Sequence, residues 1–466
     1  MRTPIRVILL LMCVASASVR GAEKAEVASR PNLVFIIADD CTFRDLGCYG
    51  GQAATPNMDR LADQGMKFTK CFQTAPMCSP TRHNLYTGLY PVKSGAWPNH
   101  TFVYDHVKSV VQYLRPLGYR LALSGKTHVS PKSVFDFEYS AVKNNPDMDA
   151  IERLMTESAA SDQPFCLFAC SNEPHSPWNK GDASRYPPAD VRLPPYLVDT
   201  PVVRESFSRY LAEITYYDDQ VGQILSALDR HDLADNTLVM VVSEQGNSFP
   251  FAKWTCYDNG LQSGMLVRWP GKVKAATVTD AMVEYVDVLP TFVQAAGGSP
   301  DPVLDGKSFL PVLVGQTNEH KQVTFGLMTT RGIIAGSEAY PIRSVRSHQY
   351  RLILNLNHEA TFTNAVTVSP LFQSMKDLGR TDARSAELVA LYQKRPEIEL
   401  YDVVKDPLNM DNLAGDPQYA GVVASLRDQL EAWMQSQGDQ GMATEMAANE
   451  RQHRGRKKSK SKRAKE

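Results

Sequence analysis

The chain has 466 residues, 43% of them hydrophobic and 22% charged, with 50 basic against 51 acidic side chains. That balance excludes collagen-like, low-complexity and wholly disordered chains and leaves a globular protein of two to three domains' length. The two ends differ from the body. Arg2 and Arg6 precede an apolar run from Val7 to Val14 and the small residues Ala15, Ser16 and Ala17. This is the layout of a secretory signal, so residues 1–22 are expected to be removed on export to a periplasmic, extracellular or, in a eukaryote, lysosomal location. The run is too short for a membrane span, and no transmembrane segment is expected. Residues 441–466 read as a disordered basic tail, because from Arg451 onward there are nine Lys/Arg, one acid and nothing apolar larger than alanine. Without that block and the three arginines ahead of residue 23, 38 basic residues face 50 acidic ones. An acidic body gives no reason to expect nucleic acid as a partner.

Cys13 falls in the signal, and seven cysteines remain: Cys41, Cys48, Cys71, Cys78, Cys166, Cys170 and Cys256. Export permits disulfides, but their pairing cannot be read from spacing, and an odd count leaves room for a reactive thiol. No C-x-x-C zinc pattern occurs.

In chain order, four apolar runs predict strands buried on both faces. Asn32–Ala38 leads into Asp39 and Asp40, and Arg120–Ser124 into Gly125, Lys126, Thr127 and His128. Pro164–Cys170 leads into Ser171, Asn172, Glu173, Pro174 and His175, and Thr237–Ser243 into Glu244, Gln245 and Gly246. Between them, Phe207, Leu211, Ile214, Tyr217, Val221, Ile224 and Leu228 recur at helical spacing. The alternation predicts an α/β fold with a mainly parallel central sheet flanked by helices, over residues 30–325. Ligands of such sheets sit beyond the carboxyl ends of the strands. Four runs that end in acids, an amide, a lysine and histidines therefore point to one shared site. Farther on, Pro341–Arg346, Tyr350–Asn355 and Leu400–Asp402 read as short half-buried strands. A helix over Val422–Met434 shows Val423, Leu426, Leu430 and Trp433 on one face. A smaller C-terminal α+β domain is expected over residues 326–440.

The densest chemical signal is Cys78-Ser79-Pro80-Thr81-Arg82. Pro80 suits the first turn of a helix ending near Gly88. Cys78 then stands at that helix's N-terminus, where free N–H groups favour anions, and Arg82 one turn on adds a fixed cation. Spacing alone leaves a buried structural cysteine as the commoner reading.

The five residues also match the C-x-P-x-R signature of type I sulfatases. The chain resembles that family in Thr55-Pro-Asn-Met-Asp-Arg-Leu-Ala62, Thr87-Gly-Leu-Tyr-Pro91, Gly125-Lys-Thr-His128, Asp287-Val-Leu-Pro-Thr291, Asp305-Gly-Lys-Ser-Phe-Leu-Pro311 and Leu400-Tyr-Asp-Val-Val-Lys-Asp-Pro407. It is most similar to the heparan N-sulfatase (sulfamidase) branch through Gly125–Pro131, Phe135-Asp-Phe137, Tyr340–Val345 and Leu354–Asn357. The resemblance implies an alkaline phosphatase-like fold and hydrolysis of a sulfate ester or sulfamate, on an amino sugar of a heparin- or heparan-like polysaccharide. It implies that a maturation enzyme oxidises Cys78 to formylglycine, whose hydrate supplies the attacking oxygen. It implies one calcium ion held by Asp39, Asp40, Glu244, Gln245 and the group derived from Cys78. Arg82 and Lys126 would steady the nucleophile and the sulfate, and His128 would take the second hydroxyl proton. His175 and Lys253 would bind sulfate and protonate the leaving atom. One departure stands out: the family has Asp-Asn where this chain has Glu244-Gln245, the same chemistry on arms one methylene longer. Two other readings stay open. One is a phosphoester or phosphonate hydrolase of the same fold, and the other a non-catalytic glycan-binding protein. The loops Trp97–Tyr104 and Trp178–Tyr196 are expected to line the pocket. Asn99-His100-Thr101 is an N-glycosylation sequon.

Overall fold

The computed structural model describes residues 30–452. Residues 1–29, which include the segment read as a secretory signal, and the residues beyond Gln452 lie outside the described residues.

The central sheet has nine strands: β1 (Asn32–Ile37), β2 (Met66–Phe72), β3 (Arg120–Gly125), β4 (Glu138–Tyr139), β5 (Phe165–Cys170), β6 (Thr237–Val242), β7 (Gln262–Arg268), β8 (Thr277–Thr279) and β9 (Val283–Glu284). Their order is β4-β3-β5-β1-β6-β7-β2-β8, with β9 beside β2. The four predicted strands are contiguous and parallel in the middle of this sheet. Their register decides where the site lies. Ile37 pairs with Cys170 and Val242, and Gly125 pairs with Cys170, so all four strands end in one row. A side chain could not replace Gly125 in that row. Its φ is +93°, and a Cβ there would collide with the Cys170 carbonyl.

Successive residues of a strand face opposite layers. Val34 and Ile36 pack on one side with Phe207, Leu211, Ile214 and Tyr217 of the helix Pro201–Arg230. Leu33, Phe35 and Ile37 pack on the other with Leu85 and Phe292, from the helices Cys78–Thr87 and Val288–Ala295. The result is a three-layer sandwich. β7 runs antiparallel to both β6 and β2, so the sheet is mixed. Neither β2 nor β7 is a continuous apolar run, and sequence reading passes over both.

A second sheet follows: β10 (Val323–Met328), β11 (Ile342–Ser347), β12 (Tyr350–Asn355) and β13 (Ile398–Asp402), antiparallel in that order. The helix Ala420–Gln437 covers one face through Leu426, Leu430 and Trp433, and Trp433 stacks on Phe325 with ring centroids 4.9 Å apart. The other face, with Met328, Ile342, Ile353 and Tyr401, joins the core of the large sheet. Three expectations are corrected here. The boundary at residue 326 falls inside β10, which begins at Val323. The strands read as half-buried are nearly enclosed, because Arg343 and Arg351 are buried in ion pairs with Asp439 and Asp258 that satisfy their charge. Residues 441–452, read as the start of the disordered tail, are folded. They form the helix Met442–Met446 and the turn Ala447–Arg451. Glu445, Arg451 and Gln452 find buried partners that composition alone does not reveal.

Candidate active site

Cys78 is the first residue of the helix Cys78–Thr87, with Pro80 in its first turn and Gly88 closing it at φ 64°. Cys78 is 3% exposed. Burial pushes it up to about 12, with nearby Glu244 and Asp40 adding to the rise against Lys253 and Arg82. An unmodified Cys78 is thus a thiol and a poor nucleophile near neutrality.

Arg82, one turn along, is fully buried. Its Nη2 meets Glu244 Oε1 at 2.9 Å and donates to the Ala38 carbonyl at 3.2 Å, while Nη1 donates to the Lys126 carbonyl at 3.4 Å. One guanidinium therefore ties together the ends of β1, β3 and β6.

Beyond those ends the acids converge. Asp39, Asp40 and Glu244 are buried, with carboxylate oxygens within 4.8 Å of one another. Asp40 Oδ1 accepts from Gln245 Nε2 at 2.7 Å; its Oδ2 accepts from Ser248 Oγ at 2.7 Å and Lys253 Nζ at 2.6 Å. Lys126 Nζ pairs with Asp39 Oδ2. Burial alone would raise Asp40, but the charges of Lys253 and His175 outweigh it and hold the carboxyl below its usual range. Burial raises Glu244. Glu244 Oε2 and Gln245 Oε1 are buried without a hydrogen-bond donor, while Glu244 Oε1 is held by the Arg82 guanidinium. Orphaned oxygens clustered with two aspartates fit a hard cation, whose preferred ligands are oxygens. The longer Glu244 and Gln245 arms do reach the two aspartates, since Gln245 touches both.

His175 faces the same acids, its Nε2 3.5 Å from Asp40 Oδ2 and its Nδ1 2.6 Å from the Ser176 carbonyl. The Lys253 charge is the main force lowering His175, to about 4, so the ring is neutral at pH 7 with its proton on Nδ1 facing Ser176. Lys126 is lowered to about 8, mainly by burial. His128 is held well below its usual range, first by burial and then by Lys126 and His100. Its Nε2 lies 2.9 Å from His100 Nδ1, and its own Nδ1 is buried without a partner.

Backbone strain gathers here too. Asp40, His100, His128 and Glu244 have φ of 63°, 55°, 49° and 63°, and Phe251 and Trp254 around Lys253 have 66° and 73°. A left-handed conformation costs a non-glycine residue about 1 kcal/mol or more, and such residues concentrate where function requires them.

Above this floor opens a cleft of about 830 Å³. Lys126, Lys143, Lys253, His100, His128 and His175 line it together with Cys78, and no Asp or Glu does among the described residues. The two loops read as pocket-forming contribute Asn99, His100 and Trp178. Asn99 is 6% exposed, so the folded sequon hides its acceptor side chain. Sequence reading missed Lys143, Ser248, Val202 and Ser206, and the wall formed by Ile334, Ala365, Val366 and Ser369 to Leu371. That wall approaches the site only through tertiary packing.

A cysteine at a helix N-terminus, a buried acidic cluster whose oxygens fit a cation and a cationic cleft suit the hydrolysis of anionic esters. The chain belongs to the sulfatase family, which it matches over residues 31–299, and it matches the family described as "N-sulphoglucosamine sulphohydrolase, C-terminal" over 246–369. It hydrolyses a sulfate ester or sulfamate. It is 31% identical over 427 residues to an ulvan-active sulfatase of Formosa agariphila, covering 90% of this chain and 82% of that one. It is 29% identical over 468 residues to human N-sulphoglucosamine sulphohydrolase, covering 87% and 90%. Among solved structures, a protein in complex with its substrate D-glucosamine-2-N,6-O-disulfate superposes with a TM-score of 0.66 at 18% identity, covering 89% of this chain and 99% of that one. These likenesses agree with the alkaline phosphatase-like fold, the mainly parallel sheet and the smaller C-terminal antiparallel sheet.

Proposed function

We propose that this sulfatase removes a sulfuryl group from an amino sugar of a sulfated glycan, working on Cys78 matured to formylglycine beside a calcium ion. The observation that carries this reading is a cleft lined by cations over a buried cluster of Asp39, Asp40 and Glu244, in which Glu244 Oε2 and the neighbouring Gln245 Oε1 have no donor. Cations on the walls accept a polyanion; bare oxygens below accept a metal.

Asp39, Asp40, Glu244 and Gln245 would hold the ion, which would supply Lewis acidity to a sulfuryl oxygen and to the nucleophile. The hydrated aldehyde would supply the attacking oxygen that a thiol near 12 cannot. Arg82 and Lys126 orient oxygens at the helix N-terminus, with Arg82 locked by three partners. His128, uncharged because of its surroundings, has a free lone pair to accept a hydroxyl proton. Lys253, fixed by Asp40, presents an ammonium to the leaving nitrogen or oxygen. His175 orients the same atom through Nε2, since its proton sits on Nδ1.

Similarity to the human N-sulphoglucosamine sulphohydrolase, and the C-terminal family match, support an N-sulfo amino sugar. The ulvan-active relative supports a second reading, an ulvan fragment. No helix among the described residues is long and apolar enough to cross a membrane. The test is a panel of glucosamine N-sulfate, glucosamine 6-O-sulfate, ulvan oligosaccharides and 4-nitrophenyl phosphate, with peptide mass spectrometry of residue 78. N-desulfation with an aldehyde at position 78 is expected. Turnover by protein whose Cys78 is wholly unmodified would overturn the mechanism, and preference for ulvan would overturn the substrate.

A further inference from the structure

We infer that His100 is a positioning residue for His128, fixing which nitrogen of His128 holds the lone pair that receives the proton. The inference rests on the assignment of His128 above.

The two rings meet through His128 Nε2 and His100 Nδ1, 2.9 Å apart, with centroids separated by 4.8 Å. An imidazole pair at that distance shares one proton, so one nitrogen donates and the other accepts. The environment selects the arrangement. His128 Nδ1 is buried and has no partner, so a proton there would be an unsatisfied buried donor, whereas a lone pair there is ready to accept. His128 therefore carries its proton on Nε2 and donates it to His100 Nδ1. When His128 Nδ1 takes a proton, the resulting cation keeps that hydrogen bond. His100, exposed on the cleft side, faces the solvent to which charge must finally pass. A catalytic histidine needs its second nitrogen held by some group; here that group is a second imidazole.

The backbone is built to keep the pair together. Ser79, inside the Cys78–Arg82 signature, donates from Oγ to the His128 carbonyl at 3.2 Å and accepts from the Thr101 N–H at 3.4 Å. One hydroxyl thus sets the spacing of the two loops that carry the histidines. From the far side, Gln452 Nε2 donates to the Asn99 carbonyl at 2.9 Å, and Thr101 Oγ1 donates to the Arg451 carbonyl at 2.8 Å. Both histidines sit at positive φ, a strain these anchors sustain.

The positive φ of 55° also shapes the test, because glycine and asparagine tolerate it. His100→Gly removes the ring without straining the backbone, and His100→Asn places an amide oxygen near the position of Nδ1. Steady-state kinetics would be measured on the best saccharide of the panel, with melting temperature and secondary structure recorded for each variant. For His100→Gly, kcat is expected to fall at least 30-fold, about 2 kcal/mol at 1.36 kcal/mol per tenfold, with KM changed less than threefold. His100→Asn is expected to stay within about fivefold of the parent, as retained acceptance at that position requires. Added imidazole is expected to restore His100→Gly in a saturable manner. Parent-like kcat in His100→Gly overturns the inference. So does an equal loss in both variants without imidazole rescue, which marks a role in packing alone. His128→Ala separates the two levels: if it stays active, the assignment of His128 fails first; if it is inactive while His100→Gly is parent-like, only the pairing fails.

Discussion

Glu445→Ala tests how far the folded C-terminal segment supports the cleft. Glu445 is fully buried, and its Oε1 accepts from the Thr330 N–H at 2.9 Å, the Thr330 hydroxyl at 3.0 Å and the Arg331 N–H at 2.8 Å. These residues begin the loop that carries Ile334 to the cleft wall. Removing the carboxylate orphans two backbone donors and a hydroxyl that itself accepts from the Tyr340 N–H at 2.8 Å. An orphaned buried donor costs about 1–3 kcal/mol, and water entering the vacated space recovers part of it. A net loss of about 3 kcal/mol follows, or about 6 °C of melting temperature at about 2 °C per kcal/mol for a long chain. Glu445→Gln keeps the acceptor and should lose less than half as much. Glu431→Ala, at an exposed position of the helix Ala420–Gln437, should change stability by less than about 0.5 kcal/mol. Circular-dichroism melts and urea midpoints of the three variants give the answer. A shift below about 1 °C for Glu445→Ala would refute the view that this segment braces the cleft.

Cys78→Ala should abolish turnover while leaving the melting temperature within about 2 °C of the parent, read by kinetics and calorimetry. Stripping divalent ions with a chelator should remove activity and lower the melting temperature; calcium should restore both, with about 2.7 kcal/mol of added stability at a hundredfold excess over Kd. Unchanged activity in protein shown to be metal-free by elemental analysis would count against the cation site. A third prediction concerns pH. Burial, with the Glu173 carboxylate beside it, lifts Glu213 from 4.5 to about 8. The folded chain holds a proton there that the unfolded chain releases. This stabilising contribution is complete below pH 4.5 and is lost as pH rises through about 8. Glu213→Gln should therefore match the parent near pH 4.5 and melt higher than it at pH 8, and equal melting at both pH values would contradict this.

Much of the site is legible in the sequence because its parts lie next to strong local signals. Asn32–Ile37 and Thr237–Val242 are unbroken apolar runs, and the chemistry follows each within a few residues. Strands β2, MKFTKCF, and β7, QSGMLVR, carry no such run, because cross-strand neighbours rather than their own composition bury them. Arg343 and Arg351 read as surface residues since their partners, Asp439 and Asp258, are about ninety residues away. Ala447–Arg451 read as tail for a similar reason: the carbonyls that Arg451 binds, Gly95 and Phe102, are some 350 residues distant. His100 is legible in the sequence as part of a sequon and of the pocket-lining loop Trp97–Tyr104, but its nearness to His128 depends on two loops meeting over Ser79.

The guanidinium of Arg82 has a consequence for motion. It joins the ends of β1, β3 and β6 at the carboxyl edge of the sheet. Fraying of the cleft floor is opposed, because separating the end of β6 breaks the buried Arg82–Glu244 ion pair and separating the end of β1 or β3 takes a carbonyl acceptor from a buried guanidinium. Amide hydrogens at this edge, such as that of Ala38, bonded to the Val242 carbonyl, should exchange only with opening of the whole domain. Loops farther up, such as the stretch at Lys143 and Asn144, are exposed. The tie at Arg82 thus keeps the groups at the strand ends in fixed relation to one another, whatever the rim of the cleft does.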